Sequence, residues 1–330
     1  MINFKLYFLV FFFTLSACET ELNINSSVDQ TSLVVEGYIQ QNFPAVVFLT
    51  TTQGYFDVLD SNFLSEVSVS DANITITRND NIQHSLTYIE NNFLDTLNFF
   101  SELPFEGLYI DLEYKEDDFS QIGYTYSLQI EWQGKIITSK TSIPELYPID
   151  SVWVQSKEEN NSGNYKHYIW AQFNDPDTLG NGITAYFKKT TNEKKDSLFV
   201  PCAISIRNDQ LVNGENFPAR FARSGRADEE DGVFLPFYSD RNIDGQIKER
   251  DIVILRINHV NSDTYKFWRS VERSKNSSGN PFSEPVNLNS NISGGIGIWG
   301  GYGASYYYIP IVPDTVIYDK YEDLTLFDLF

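Results

Sequence analysis

Tyr124-Thr125-Tyr126-Ser127-Leu128-Gln129-Ile130-Glu131-Trp132 alternates apolar and polar side chains more cleanly than any other stretch of the chain. Successive side chains of a strand point to opposite faces, so Tyr124, Tyr126, Leu128, Ile130 and Trp132 share one side and Thr125, Ser127, Gln129 and Glu131 the other. The pattern predicts a strand with one buried and one wet face. Gln133-Gly134 follows as a natural turn into Lys135-Ile136-Ile137. Outward from there, Ile74/Ile76 and Leu108/Ile110/Leu112 repeat the period of two. Leu33 to Ile39 and Ala45 to Thr50 are β-branched and aromatic runs of strand length, separated by Asn42 and Pro44. Short strands with turn signals between them predict a mainly β fold, whose first part, residues 31–145, is an immunoglobulin-like β-sandwich.

Ile143-Pro144-Glu145-Leu146-Tyr147-Pro148-Ile149-Asp150 carries two prolines close together, which blocks both helix and central strand and marks a domain boundary. Beyond it, Val152-Trp153-Val154, Tyr168 to Phe173, Ala185-Tyr186-Phe187, Val233-Phe234-Leu235 and Ile252 to Ile257 again have strand character, so residues 146–330 form a second β-rich domain. Ser262 to Arg273 differs. Tyr265, Trp268 and Val271 fall at helical spacing behind a Ser262-Asp263 start, which predicts one short helix with its Trp268 face on the sheet.

The N-terminus carries a different message. Lys5, the apolar run Leu6 to Phe13 and small residues before Cys18 form a signal peptide over residues 1–17, too short for the roughly 20 apolar residues of a membrane span. Leu15-Ser16-Ala17-Cys18 looks like the lipobox of bacterial lipoproteins, in which the thiol receives diacylglycerol and the chain is cut before it. Residues 18–30 are polar and suit a tether between lipid and body. With Cys18 lipidated, Cys202 alone remains, so no internal disulfide can form; it lies in an apolar run and reads as a buried thiol. The formal net charge of −21 makes nucleic acid and anionic membrane surfaces poor partners for the body, leaving the lipid as the membrane attachment.

Chemical signatures are sparse. The chain has no G-x-S-x-G elbow, no H-E-x-x-H, no phosphate loop and no Rossmann glycine fingerprint. His84, His167 and His259 stand far apart in sequence. Gly294 to Gly303 followed by Tyr306-Tyr307-Tyr308 concentrates glycine beside aromatics, and Trp299, Tyr302 and Tyr306 are candidates for stacking on a sugar or peptide. The competing reading has the glycines permit close backbone approach while the rings fill the sheet. Asp240, Asn242, Asp244 and Gln246 follow the donor spacing of a calcium loop, with Gly245 at the sharp turn and Asp251 at the closing position. Against it stands a two-residue hairpin turn through Asp244-Gly245, favoured by strand-like flanks and by Asp rather than Glu at the close. Calcium is the one cofactor the residues suggest.

Several segments, taken in order, resemble a family of Bacteroidota outer-membrane lipoproteins catalogued as domain of unknown function 4249. They are the lipobox at Cys18, Leu33-Val34-Val35-Glu36-Gly37, Tyr124 to Leu128, the Pro144 to Ser151 junction, Phe173-Asn174-Asp175-Pro176, Pro281 to Pro285, and Ser290 through Tyr302. The resemblance implies a companion of TonB-dependent receptors and supplies no catalytic residue. The expectation is therefore a non-catalytic, lipid-anchored accessory protein of the outer membrane, favoured at the cell surface over the periplasmic leaflet by Glu19 and Glu21 near the lipid. It captures a ligand for a TonB-dependent transporter or docks on one. A structural or adhesive surface module is the alternative, and an enzyme acting on glycans or peptides the third reading.

Overall fold

The alternating runs do become strands, and their pairing decides the architecture. The computed structural model describes residues 31–52, 63–90, 106–115, 119–147, 149–159, 164–190, 198–224, 234–237, 242–243, 246–247, 251–277, 287–312 and 316–317. The signal peptide, Cys18 and the tether lie outside them, as do Asp240 and Asp244. From Ser32 onward the chain forms one compact unit, mainly β.

Its first part holds β1 (Leu33–Gln40), β2 (Val46–Thr51), a short helix α1 (Phe63–Val67), β3 (Asn73–Arg78), β4 (Gln83–Glu90), β5 (Gly107–Ile110), β6 (Thr125–Trp132) and β7 (Lys135–Ser142). The predicted alternation in β6 is realised: Tyr126, Leu128, Ile130 and Trp132 are buried and the residues between them are not. Leu112 does not continue β5, which ends at Ile110; it is 61% exposed. The second part adds β8 (Ile149–Glu159), β9 (Asn164–Asn174), β10 (Gly182–Thr190), β11 (Val200–Asn208), β12 (Asn216–Phe221), β13 (Arg223–Ser224), β14 (Phe234–Leu235), β15 (Asn242–Ile243) and β16 (Gln246–Ile247). It ends with β17 (Ile252–Val260), helix α2 (Ser262–Ser277), β18 (Ile296–Pro310) and β19 (Val316–Ile317).

Thirteen of these strands form one hydrogen-bonded succession, β14-β13-β11-β10-β17-β18-β1-β2-β5-β4-β3-β6-β7. Within it β4 turns a corner, its first half pairing with β3 and its second half with β5. The two faces so joined enclose a core of Val35, Val47, Ile76, Leu128, Ile130 and their neighbours. Thr138 of β7 exchanges backbone hydrogen bonds of 3.0 and 2.8 Å with Ser293, just before β18, which draws the far edge of the succession back toward its middle. A second core lies between β10, β17 and β18 on one side and the four-stranded sheet β12-β9-β8-β19 on the other, filled by Val154, Phe173, Phe221, Leu255, Ile309 and others. Pro218 sits in β12, an edge strand of that sheet, where its missing N–H costs no ladder bond.

The cores change at the predicted junction, Ile143 belonging to the first and Tyr147 to the second. The sheet, however, runs on through both. β18 pairs in parallel with β1 over Val34↔Ile296 to Gln40↔Tyr302 and antiparallel with β17 over Ile252↔Pro310 to Val260↔Tyr302. Fifteen residues at about 3.3 Å each make it roughly 50 Å long. Trp299 completes the first core, Tyr307 and Ile309 the second. Between them the 142–147 junction crosses directly over β18: a Cβ on Gly301 would stand 2.2 Å from the Ser142 carbonyl oxygen, so only glycine permits the crossing. The parallel partner from the far end of the chain and the corner at β4 are features the immunoglobulin-like expectation did not include.

Trp299 is 0% exposed, lies opposite Gly37, and its indole N–H donates to the Tyr126 carbonyl at 3.1 Å. A Cβ on Gly37 would meet the indole at 2.6 Å. Trp299→Ala is therefore expected to cost about 3–5 kcal/mol, the range for emptying a large aromatic site in a core, and Gly37→Ala to destabilise by forcing the same ring aside. Chemical denaturation checks both. A Gly37→Ala protein as stable as the parent would show that the indole does not rest on β1.

Candidate functional site

The two cores take up one face of the long sheet; the other face carries the site. On β1 the odd residues are buried inward, so Glu36, Tyr38 and Gln40 point the opposite way. The register sets Tyr38 beside Gly300 and Gln40 beside Tyr302 of β18, while Arg256 of β17 pairs with Tyr306. Helix α2 covers one end of this face. Asn261 starts it, its side-chain oxygen accepting from the Thr264 N–H at 3.0 Å, so the cap stands one residue before the predicted Ser262. The helix runs four residues past the predicted end, and its deepest residues are Thr264, Phe267 and Ser270.

Between helix and sheet lies a cavity of about 430 Å³. Its floor includes Glu36, Tyr38, Tyr302, Tyr186 and Arg256, and α2 contributes Trp268 and Lys275. The β10–β11 pairing shifts register between Thr184 and Tyr186, and Ile204 takes a left-handed φ of 53°. This irregularity brings neighbouring residues from Pro201 to Ile206 to the cavity wall.

The polar groups are held by one another. The Tyr38 hydroxyl donates a short hydrogen bond to the Glu36 carboxylate. Trp268 donates its indole N–H to the Tyr302 hydroxyl at 2.8 Å, and Tyr302 stacks on Tyr38 with ring centroids 5.6 Å apart. Gln40 donates to the Tyr306 hydroxyl at 2.8 Å. The Arg256 guanidinium lies over the rings of Tyr186 at 4.8 Å and Phe199 at 4.5 Å. Burial raises the Glu36 carboxyl above its ordinary value, against the opposing pull of the Tyr38 hydrogen bond and the Lys275 charge. Burial also pushes up the Tyr38, Tyr186 and Tyr302 phenols and drives the Cys202 thiol to about 12.

Of the residues singled out in the sequence, Tyr302 lines this cavity. Tyr306 sits next to it, buried against Phe199. Trp299 points to the opposite face and fills the first core, so it is not available for stacking; the reading in which rings fill the sheet holds for it. The calcium-loop residues do not gather into a described site. Asn242 and Gln246 lie on β15 and β16, whose Ile243↔Gln246 pairing leaves two residues between them, and the Asp251 carboxylate is 3.5 Å from Lys189. Among the described residues no group of three or more His, Cys, Asp and Glu is placed to hold a metal ion.

Glu36, Arg256 and Asn258 escaped the sequence reading. The available signal was a charge set midway along an otherwise apolar strand, Glu36 in Leu33 to Ile39 and Arg256 in Ile252 to Ile257, because charges are seldom buried without a purpose.

A family described as Domain of unknown function (DUF4249) matches residues 19–307. The chain belongs to this family. The DUF4249 match takes in every cavity residue named above and ends within β18 at Tyr307. No curated protein matches the chain.

A carboxyl whose folded value is raised contributes stability below the ordinary carboxylate range and loses it as pH rises through the folded value. Glu36→Gln keeps an acceptor for Tyr38 and removes the buried charge. It is expected to melt above the parent at pH 7.5, with the gain closing toward pH 4. Melting curves across that range check this; a variant that loses stability as pH rises as steeply as the parent would place the titration elsewhere.

Proposed function

We propose that this protein is a non-catalytic accessory lipoprotein of the outer membrane that captures a small ligand for a TonB-dependent transporter. The observation that carries the capture role is the cavity between α2 and the long sheet. Its size falls in the usual range of about 300–1,000 Å³ for small-molecule sites, and it pairs aromatic walls with a few converging polar groups. Binding is favoured over catalysis because the phenols and the thiol that line the cavity beside Glu36 are poorly poised for proton transfer or attack near neutral pH. The phenols are raised by burial, and a thiol at about 12 is far from the thiolate that nucleophilic chemistry needs.

The membrane and partner roles rest on the lipobox-like Leu15-Ser16-Ala17-Cys18 and on the family resemblance; the family match begins at residue 19, one beyond Cys18. The acidic body leaves lipid as the means of attachment. Cys18→Ala is expected to remain uncleaved at that site, to incorporate no labelled palmitate and to behave differently from the parent on membrane fractionation. A variant that still takes up the label sinks the lipid anchor. For the transporter, mild-detergent pull-down of the parent from its own membranes should recover a β-barrel receptor, and repeated recovery of the protein without one would count against the accessory role.

A further inference from the structure

The charges around the cavity are answered from within the protein. Glu36 has the Tyr38 hydroxyl and the Lys275 charge, and Glu272 has Arg269 at 2.5 Å. The Arg256 guanidinium rests on two rings. A charged ligand entering here would compete with these partners; a neutral one would not.

A neutral hydrogen-bonding need does remain. Asn258, on β17, lines the cavity and is only 3% exposed. Its amide N–H₂ donates to Thr184 Oγ1 at 3.2 Å, and its Oδ1 has no partner among the described residues. Exchanging the two ends of the amide lets the Thr184 hydroxyl donate to Oδ1 but then leaves the N–H₂ unmet, so either orientation leaves one end of the group unanswered. A ligand hydroxyl, which both donates and accepts, serves either orientation. It also serves Glu36 whether that carboxyl is charged or protonated.

The walls add a second requirement. Tyr38 and Tyr302 stack, Trp268 is tied to Tyr302, and Phe48 stands edge-on to Tyr38 with centroids 6.5 Å apart. Such rings pack against apolar C–H faces while their polar tips reach hydroxyl edges. A neutral saccharide combines C–H faces, a hydroxyl edge and no net charge in one small molecule. Resting on the reading of the cavity as a capture site, we infer that its ligand is a neutral saccharide held with hydroxyls toward Asn258 and Glu36 and a sugar face against Trp268 and Tyr302.

Calorimetric titration of the detergent-solubilised full-length lipoprotein tests this. The probes are glucose, galactose, xylose, N-acetylglucosamine, maltose, cellobiose and lactose, with glycylglycine, free amino acids and short-chain carboxylates run in parallel. At least one saccharide is expected to bind saturably, and its affinity to fall at least tenfold in both Asn258→Leu and Trp268→Ala. Should Asn258→Leu fail to fold, Trp268→Phe, which keeps an aromatic ring but removes the indole donor, is expected to weaken binding in the same sense. Saturable binding of the peptides, amino acids or carboxylates instead, lost in the same variants, overturns the saccharide assignment and leaves the capture site standing. Saccharide binding that no cavity variant weakens overturns the assignment to this cavity, and no saturable binding by any probe overturns both readings.

Discussion

Parallel strands cannot be joined by a tight turn, and β1 and β18 are parallel neighbours drawn from opposite ends of the chain. Nearly everything between them serves as their connection. Two adjacent pairs in their register fit together in opposite senses: Gly37 faces Trp299, and Tyr38 faces Gly300. The first pair directs its ring inward and finishes a core; the second directs its ring outward and floors the cavity. Core and site are thus the two sides of one seam, and a change of backbone spacing there would be felt on both.

The same strand explains how two cores coexist in one compact unit. Where the junction after β7 passes over β18, side chains are replaced by backbone, and the apolar filling changes from one set of strands to another. Backbone bonds fasten the junction: the Gly123 N–H donates to the Ile143 carbonyl at 2.9 Å and the Ile143 N–H to the Tyr124 carbonyl at 3.3 Å. Pro144, which blocks regular structure in sequence, here belongs to a strap across the sheet, not to a loose linker.

Local pattern carried the strands well. The alternation of β6, the turn at Gln133-Gly134 and the helical spacing after Asn261 all reappear, because each depends on neighbours in sequence. Leu33 to Ile39 was legible as a strand, but not as the partner of Ile296 to Tyr302, since periodicity tells which face is buried and not what buries it. Trp299 illustrates the limit for the site. Glycine beside aromatics fits both ring stacking on a ligand and ring packing on a neighbouring backbone, and the register with Gly37 separates them. Glu36 was hidden inside an apolar run, where strand propensity dominated the reading and the cost of burying a charge was the fainter clue.

The late position of β18 also fixes an order of events. β1 ends at Gln40 and β18 begins only at Ile296, so until β18 is in place Leu33, Val35 and Ile39 have an open strand edge beside them and a core with a missing wall. Loop closure over so long a separation is slow. An unpaired edge beside exposed apolar side chains is a template for mispairing with another copy. A chain that lacks β18 therefore leaves β1 with an open edge and the first core without Trp299, so the first part is not complete without the last strands.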